Sequence, residues 1–301
     1  MTNKLYTALS KRILLLDGGF GTMMQQNGFV EADYRGERFA SHPQPLKGCG
    51  DLLSLTQPEA VAAIHEKYLV AGADIITCNS FNANAVSLSD YGLEAYAREI
   101  ACAAARIARG IADRYTERNP QKPRFVAGSV GPTNRTASLS ADVQNPAARD
   151  ITFRELVAAY AEQIRGLVEG GADIILIETI FDTLNAKAAL YAVEEVGCRL
   201  PVMASGTLAD KSGRTLSGQT VEALCASLTH APLLSIGLNC AFGAHDLLPY
   251  LERLAKVAPC RISAHPNAGL PNLMGGYDET PEMFAAEVRH YLERGLINIV
   301  G

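Results

Sequence analysis

Val70-Ala71-Gly72-Ala73-Asp74-Ile75-Ile76 recurs as Glu169-Gly170-Gly171-Ala172-Asp173-Ile174-Ile175. A looser copy is Glu293-Arg294-Gly295-Leu296-Ile297-Asn298-Ile299-Val300. In each copy a helical pattern ends at a Gly, the residue that most readily takes the left-handed turn closing a helix. The apolar run that follows reads as a strand buried on both faces, as in a parallel sheet covered by helices. Working outward gives eight strand candidates, at residues 13–17, 74–77, 125–129, 174–178, 201–205, 233–238, 261–265 and 297–300. Helical patterns lie between them. Thr56-Gln57-Pro58-Glu59 has the form of a capping box opening a helix with Val61, Ile64 and Tyr68 on one face, and Thr152-Phe153-Arg154-Glu155 is a second box. Residues 94–118 form a long Ala-rich helix, 183–196, 221–230 and 246–257 follow, and Thr280-Pro281 places a cap before a first-turn proline.

Strands alternating with helices predict an α/β fold, a single (β/α)8 TIM barrel over residues 1–301. The alternative is a doubly wound open sheet, but no Gly-rich dinucleotide fingerprint follows the first strand in the right form. The two long connections, 20–54 and 131–150, both follow strand ends on the side where barrel enzymes build their sites. The eighth strand ends at Val300 with one residue after it, so the barrel's last helix is missing from this sequence, and apolar surface is expected around that strand.

The bulk numbers narrow the function. The formal net charge of −5 over 301 residues, with no dense Lys/Arg stripe, argues against a nucleic-acid surface. Residues 1–11 are polar and mixed, without the apolar core of a signal peptide, and no apolar run is long enough to span a bilayer. Seven widely scattered Cys fit reduced thiols and a cytoplasmic location better than a disulfide framework.

In a barrel the polar residues ending each strand converge on one mouth. These are Asp17 with Gly18 and Gly19; Thr77, Cys78 and Asn79; Ser129; Glu178 and Thr179; Ser205; Asn239 and Cys240; and His265. Asp17 and Glu178 are the carboxylates of this set. They suit an acid/base pair, a hard cation or a substrate ammonium, and capping or pairing with an Arg is the structural alternative. Gly18 and Gly19 let backbone amides approach a ligand. Cys240 ends an apolar run, Ser235-Ile236-Gly237-Leu238-Asn239-Cys240, as a metal ligand, a nucleophile or buried filler. His265 on the next strand makes a Cys–His pair conceivable.

Longer motifs carry a resemblance. Asp17-Gly18-Gly19-Phe20-Gly21-Thr22-Met23, Asp33-Tyr34-Arg35-Gly36-Glu37-Arg38-Phe39 and Gly131-Pro132-Thr133-Asn134-Arg135-Thr136-Ala137-Ser138 resemble the homocysteine-binding module of cobalamin-dependent methionine synthase. Glu178-Thr179-Ile180-Phe181-Asp182-Thr183-Leu184-Asn185, Ser212-Gly213-Arg214-Thr215-Leu216-Ser217-Gly218-Gln219 and His265-Pro266-Asn267-Ala268-Gly269-Leu270-Pro271-Asn272 continue it over essentially the whole chain. The resemblance implies a zinc-dependent homocysteine S-methyltransferase. Cys240 matches the first zinc ligand, Asp17 and Glu178 match the residues holding the homocysteine amino group, and Ala264 and His265 match a stretch lining the substrate site. It also implies methylcobalamin as methyl donor, presented by cobalamin-binding and folate-binding modules in cis or in trans.

The family continues from a strand like Ile297-Asn298-Ile299-Val300-Gly301 into two adjacent Cys, the second and third zinc ligands, which are not in this sequence. The chain is therefore expected to carry an incomplete zinc site. Three other readings stand beside this one: a betaine- or S-methylmethionine-dependent homocysteine methyltransferase, a non-catalytic fragment, and a barrel lyase holding a hard cation.

Overall fold

The computed structural model describes residues 2–140, 142, 144–269 and 278–301; Leu270, Pro271 and Asn272 of the last motif lie outside them. The strands are β1 (Leu14–Leu15), β2 (Ile75–Thr77), β3 (Phe125–Val130), β4 (Ile174–Ile180), β5 (Val202–Gly206), β6 (Leu233–Gly243), β7 (Arg261–Asn267) and β8 (Ile299–Val300). They form one parallel eight-stranded sheet in the order β1-β8-β7-β6-β5-β4-β3-β2. A parallel bridge between Leu16 and Ile75 joins its two ends. The result is the expected (β/α)8 barrel.

The three sequence copies have a common structural content. The Asp74 N–H donates to the Leu15 carbonyl (2.7 Å), and its carboxylate accepts from the Leu15 N–H (3.0 Å). Asp173 does the same to Val126, at 2.8 and 2.9 Å. Asn298 does it to Ile262, at 2.8 and 3.0 Å. Each polar residue thus clasps its strand to the preceding one at the foot of the barrel. Asp74, fully buried, also pairs with Arg12 (2.5 Å), Arg124 (3.4 Å) and Lys122 (3.6 Å), and Asp173 with Arg109 (2.5 Å). A buried carboxylate needs such partners to offset its lost hydration.

Alternation along the strands separates two apolar layers. Leu14, Ile75, Phe125, Ile174, Leu176, Met203 and Ile299 fill the barrel interior. Ile76, Val126, Ile175, Ala204, Ile236 and Ala264 face outward into the strand–helix layer. The helix Thr2–Lys11, in a segment with no apolar signature beyond Leu5, Ala8 and Leu9, places those three residues in the interior cluster and closes the barrel's amino-terminal end. Their i, i+3, i+4 spacing is a one-sided helical stripe.

One expectation is corrected and another refined. Thr56 does not cap the following helix: it ends the short helix Leu53–Thr56, and the helix Pro58–Ala71 starts after Gln57 with no side-chain cap. The Gln57 amide is spent on the Asp33 carbonyl instead, and the first-turn proline removes one of the amides a cap would satisfy. The Thr152–Glu155 box does form, at the start of Phe153–Glu169, and Thr280 caps Pro281–Glu293. The expected bare surface spares β8 itself, since Ile299 and Val300 are both buried, and falls on its neighbour: Leu15 of β1, paired with Val300, is 45% exposed.

Truncating the plug tests its weight. Leu5→Ala is expected to destabilise the fold by about 2–5 kcal/mol in urea unfolding, the range for a fully buried Leu. A loss below about 1 kcal/mol would show that the helix merely leans on the barrel.

Candidate active site

Asp17 leaves the top of β1, where its N–H donates to the Ile75 carbonyl at 2.9 Å. Its carboxylate turns across to β2, accepting from the Thr77 N–H and from the Thr77 hydroxyl, each at 2.7 Å. The residue is buried, and burial raises its pKa to about 7; the Thr77 bonds oppose this and the charge of Glu178 adds to it. Glu178, near the end of β4, accepts from the Ser129 hydroxyl of β3 at 2.5 Å. Burial brings its pKa to about 6, against that hydrogen bond. Both carboxylates are thus desolvated, and the charge of Glu178 reaches Asp17.

Gly18 and Gly19 are exposed beside Asp17. A Cβ on Gly18 would lie 3.3 Å from the hydroxyl of Tyr68. Tyr68, which the sequence marks only as a core-facing helix residue, therefore reaches the mouth, where burial raises its phenol and the charge of Asp17 adds to the rise. No spacing in the sequence signals that placement, because it depends on how the helix lies against β1.

Cys240 is the one exposed cysteine of the seven, all of which are free. Cys78, by contrast, is buried under the mouth and its thiol is pushed far up by burial. The Cys240 sulfur lies 3.2 Å from the Asn239 amide nitrogen. Desolvation raises this thiol, Asn239 opposes the rise, and Glu178 adds to it. The buried-filler reading of Cys240 thus gives way to a thiol at the mouth near Glu178. His265 is part-buried, with a buried Nε2 that has no partner among the described residues; burial lowers its pKa to about 4, so it is neutral at pH 7. No hydrogen bond joins it to Cys240, whose described partner is Asn239. Ala264 has its side chain buried in the strand–helix layer, and its carbonyl accepts from the Gly301 N–H at 3.1 Å.

The implied zinc can be tested against these donors. Among the described residues no group of three or more His, Cys, Asp or Glu side chains is placed to hold a metal ion. A catalytic zinc takes three protein ligands and an open position. Cys240 is one donor, and the described residues do not by themselves fit the metal.

A parallel barrel that gathers carboxylates and an exposed thiol at the carboxyl ends of its strands has the architecture on which barrel enzymes build their sites. The chain belongs to the homocysteine S-methyltransferase family, whose model matches residues 14–301. Solved structures agree in fold. The homocysteine methyltransferase MmuM from Escherichia coli in its metallated form is 23% identical, with 99% of this chain and 93% of that one covered and a TM-score of 0.73. Its oxidized form is 22% identical over 97% and 92%, with a TM-score of 0.74. No helix among the described residues is long and apolar enough to cross a membrane.

Two predictions follow the site's electrostatics and its donors. Asp17 titrates near 7 against 3.8 unshifted, and Glu178 near 6 against 4.5, so the folded chain holds more protons than the unfolded one in between. These groups therefore cost stability as pH rises from about 4 to about 7. Asp17→Asn should gain in Tm over wild type progressively across that window; a pH-independent difference would mean that Asp17 ionises in the fold as readily as in the unfolded chain. Metal analysis of the purified 301-residue chain should find well under one zinc per chain, and one tightly held zinc would refute the single-donor reading.

Proposed function

We propose that this protein is a homocysteine S-methyltransferase of the methionine synthase type, with methylcobalamin as the methyl donor. The observation that carries the homocysteine part is the pair of buried, mutually repelling carboxylates, Asp17 and Glu178, beside an exposed thiol. An ammonium entering between them relieves the repulsion and draws both into the ionised form, releasing protons from a pair that is partly protonated at neutral pH. Thr77 and Ser129 hold the two carboxylates in place, so the cation is met by oriented acceptors. Gly18 and Gly19 leave the approach open. This selects an amino acid over a simple thiol.

Cys240 marks the sulfur end of the substrate, as one donor toward a zinc ion that the described residues do not complete. His265, neutral and with no partner for its Nε2 among the described residues, lines the same end, with Ala264 contributing only backbone. The homocysteine thiolate would take the methyl group of the donor, a sulfur–carbon bond forming as the donor's cobalt–carbon bond breaks and leaves its electron pair on the cobalamin, to give methionine. The choice of methylcobalamin rests on the segments 33–39 and 131–138, which resemble the cobalamin-dependent type. In this reading cobalamin-binding and folate-binding modules approach the mouth in cis or in trans, and the free cysteines support a cytoplasmic site of action.

The donor is tested with L-homocysteine and zinc in the presence of methylcobalamin, betaine or S-methylmethionine. With zinc in excess, to load a site to which these residues contribute one donor, any methionine formed should come from methylcobalamin, together with the absorbance of the demethylated cofactor. Methionine from betaine or S-methylmethionine alone would refute the donor assignment and leave the homocysteine assignment standing.

A further inference from the structure

Among the described residues, three that are not glycine have left-handed backbones: Thr179 (φ 56°), Cys240 (φ 58°) and Ala241 (φ 64°). For a β-branched residue such as Thr that conformation is costly, and strain of this kind persists only where its surroundings hold it. All three sit at the mouth. The parallel registers also break there, between Ile177 and Ile180 in β4 and between Asn239 and Gly243 in β6. Irregularities of this type re-aim side chains next to active sites.

One buried side chain ties these places together. The Asn239 carboxamide oxygen accepts from the Thr179 N–H at 3.0 Å, and its nitrogen donates to the Thr179 hydroxyl at 2.8 Å. The same nitrogen lies 3.2 Å from the Cys240 sulfur. Asn239 is only 3% exposed, and strand β5 separates β4 from β6, so this is a bridge over an intervening strand. Thr179 directly follows Glu178, and Cys240 directly follows Asn239.

We infer that Asn239, with Thr179, is a positioning element for substrate specificity: it fixes the spacing between Glu178, which receives the amino group, and Cys240, which marks the sulfur. The pair acts as a ruler selecting an amino acid whose sulfur is two methylenes from the α-carbon over one with a single methylene. This rests on the homocysteine reading above and names residues that reading does not use. The physical basis is that a buried side chain making three contacts at once has no second position that satisfies them, so both strand ends are held at one separation. Without the bridge, Thr179 has no reason to stay left-handed, and the Glu178–Cys240 span relaxes.

The test uses thioethers, which react with iodoacetamide far more slowly than a thiolate does: L-methionine and S-methyl-L-cysteine, one methylene shorter. Each is titrated as a protectant of Cys240 against iodoacetamide, read by peptide mass spectrometry, with Cys198 as an internal reference. The wild-type chain should be protected by methionine at concentrations about tenfold lower or more, the usual consequence of one misplaced methylene. Asn239→Ala and Thr179→Ala should bring that preference below about threefold, whereas Thr179→Ser, which keeps the hydroxyl, should retain it. Thr179→Ala removes only one contact of the bridge, so it stands as the decisive variant if Asn239→Ala does not fold. A wild-type preference left intact in folded Thr179→Ala or Asn239→Ala overturns the ruler. Equal protection of the wild-type chain by both thioethers likewise overturns the ruler, and absence of protection by either one overturns the homocysteine reading on which it rests.

Discussion

Three pairs of neighbouring strands are joined at the foot of the barrel by one device: a polar side chain and its own N–H grip both backbone groups of a single residue on the preceding strand. Everything above depends on it. Where parallel strands begin, their ladders leave backbone groups facing the bottom loops, and a buried group without a partner costs a large part of a hydrogen bond. The clasp satisfies those groups and sets the register in the same step. Registers set at the foot carry upward, so that Asp17 meets Thr77 and Ser129 meets Glu178 at the top. Two of the three clasps use Asp and one uses Asn, which shows that the grip needs an acceptor and no charge. The charges of Asp74 and Asp173 serve Arg12, Arg124 and Arg109 instead.

Much of this is written in local sequence. The Gly-Ala-Asp-Ile-Ile copies mark helix end, clasp and buried strand together, and the strand candidates fall within a few residues of the observed ones. The carboxylates and Cys240 were legible for the same reason: each ends an apolar run. What sequence could not give is contact between distant segments. The plug formed by Thr2–Lys11 is visible as a short stripe, but its destination inside the barrel is not. Thr56 has the spacing of a cap and loses that role because the chain turns one residue later. Tyr68 reads as core, and only the packing of its helix brings its hydroxyl against Gly18.

The mouth runs opposite to the foot in its energetics. Below, buried charges are paired and backbone groups satisfied. Above, two carboxylates are held desolvated, a histidine nitrogen has no partner among the described residues, and three residues other than glycine carry left-handed backbones. Each is unfavourable for the fold, and under the proposed function the carboxylates become favourable when an ammonium arrives. The clasps and the filled interior supply the rigidity that such a mouth needs.

The seam between β1 and β8 gives the barrel a direction of weakness. These are the shortest strands, two residues each, and their ladder pairs only Leu14 with Ile299 and Leu15 with Val300. Regions with few ladder bonds open locally at lower free energy than the rest of a fold. Leu15 is exposed on its outer side, and Asp17 stands two residues above that ladder. The wall is thus most thinly laddered at β8, β1 and β2, directly below the carboxylate whose burial holds its pKa near 7.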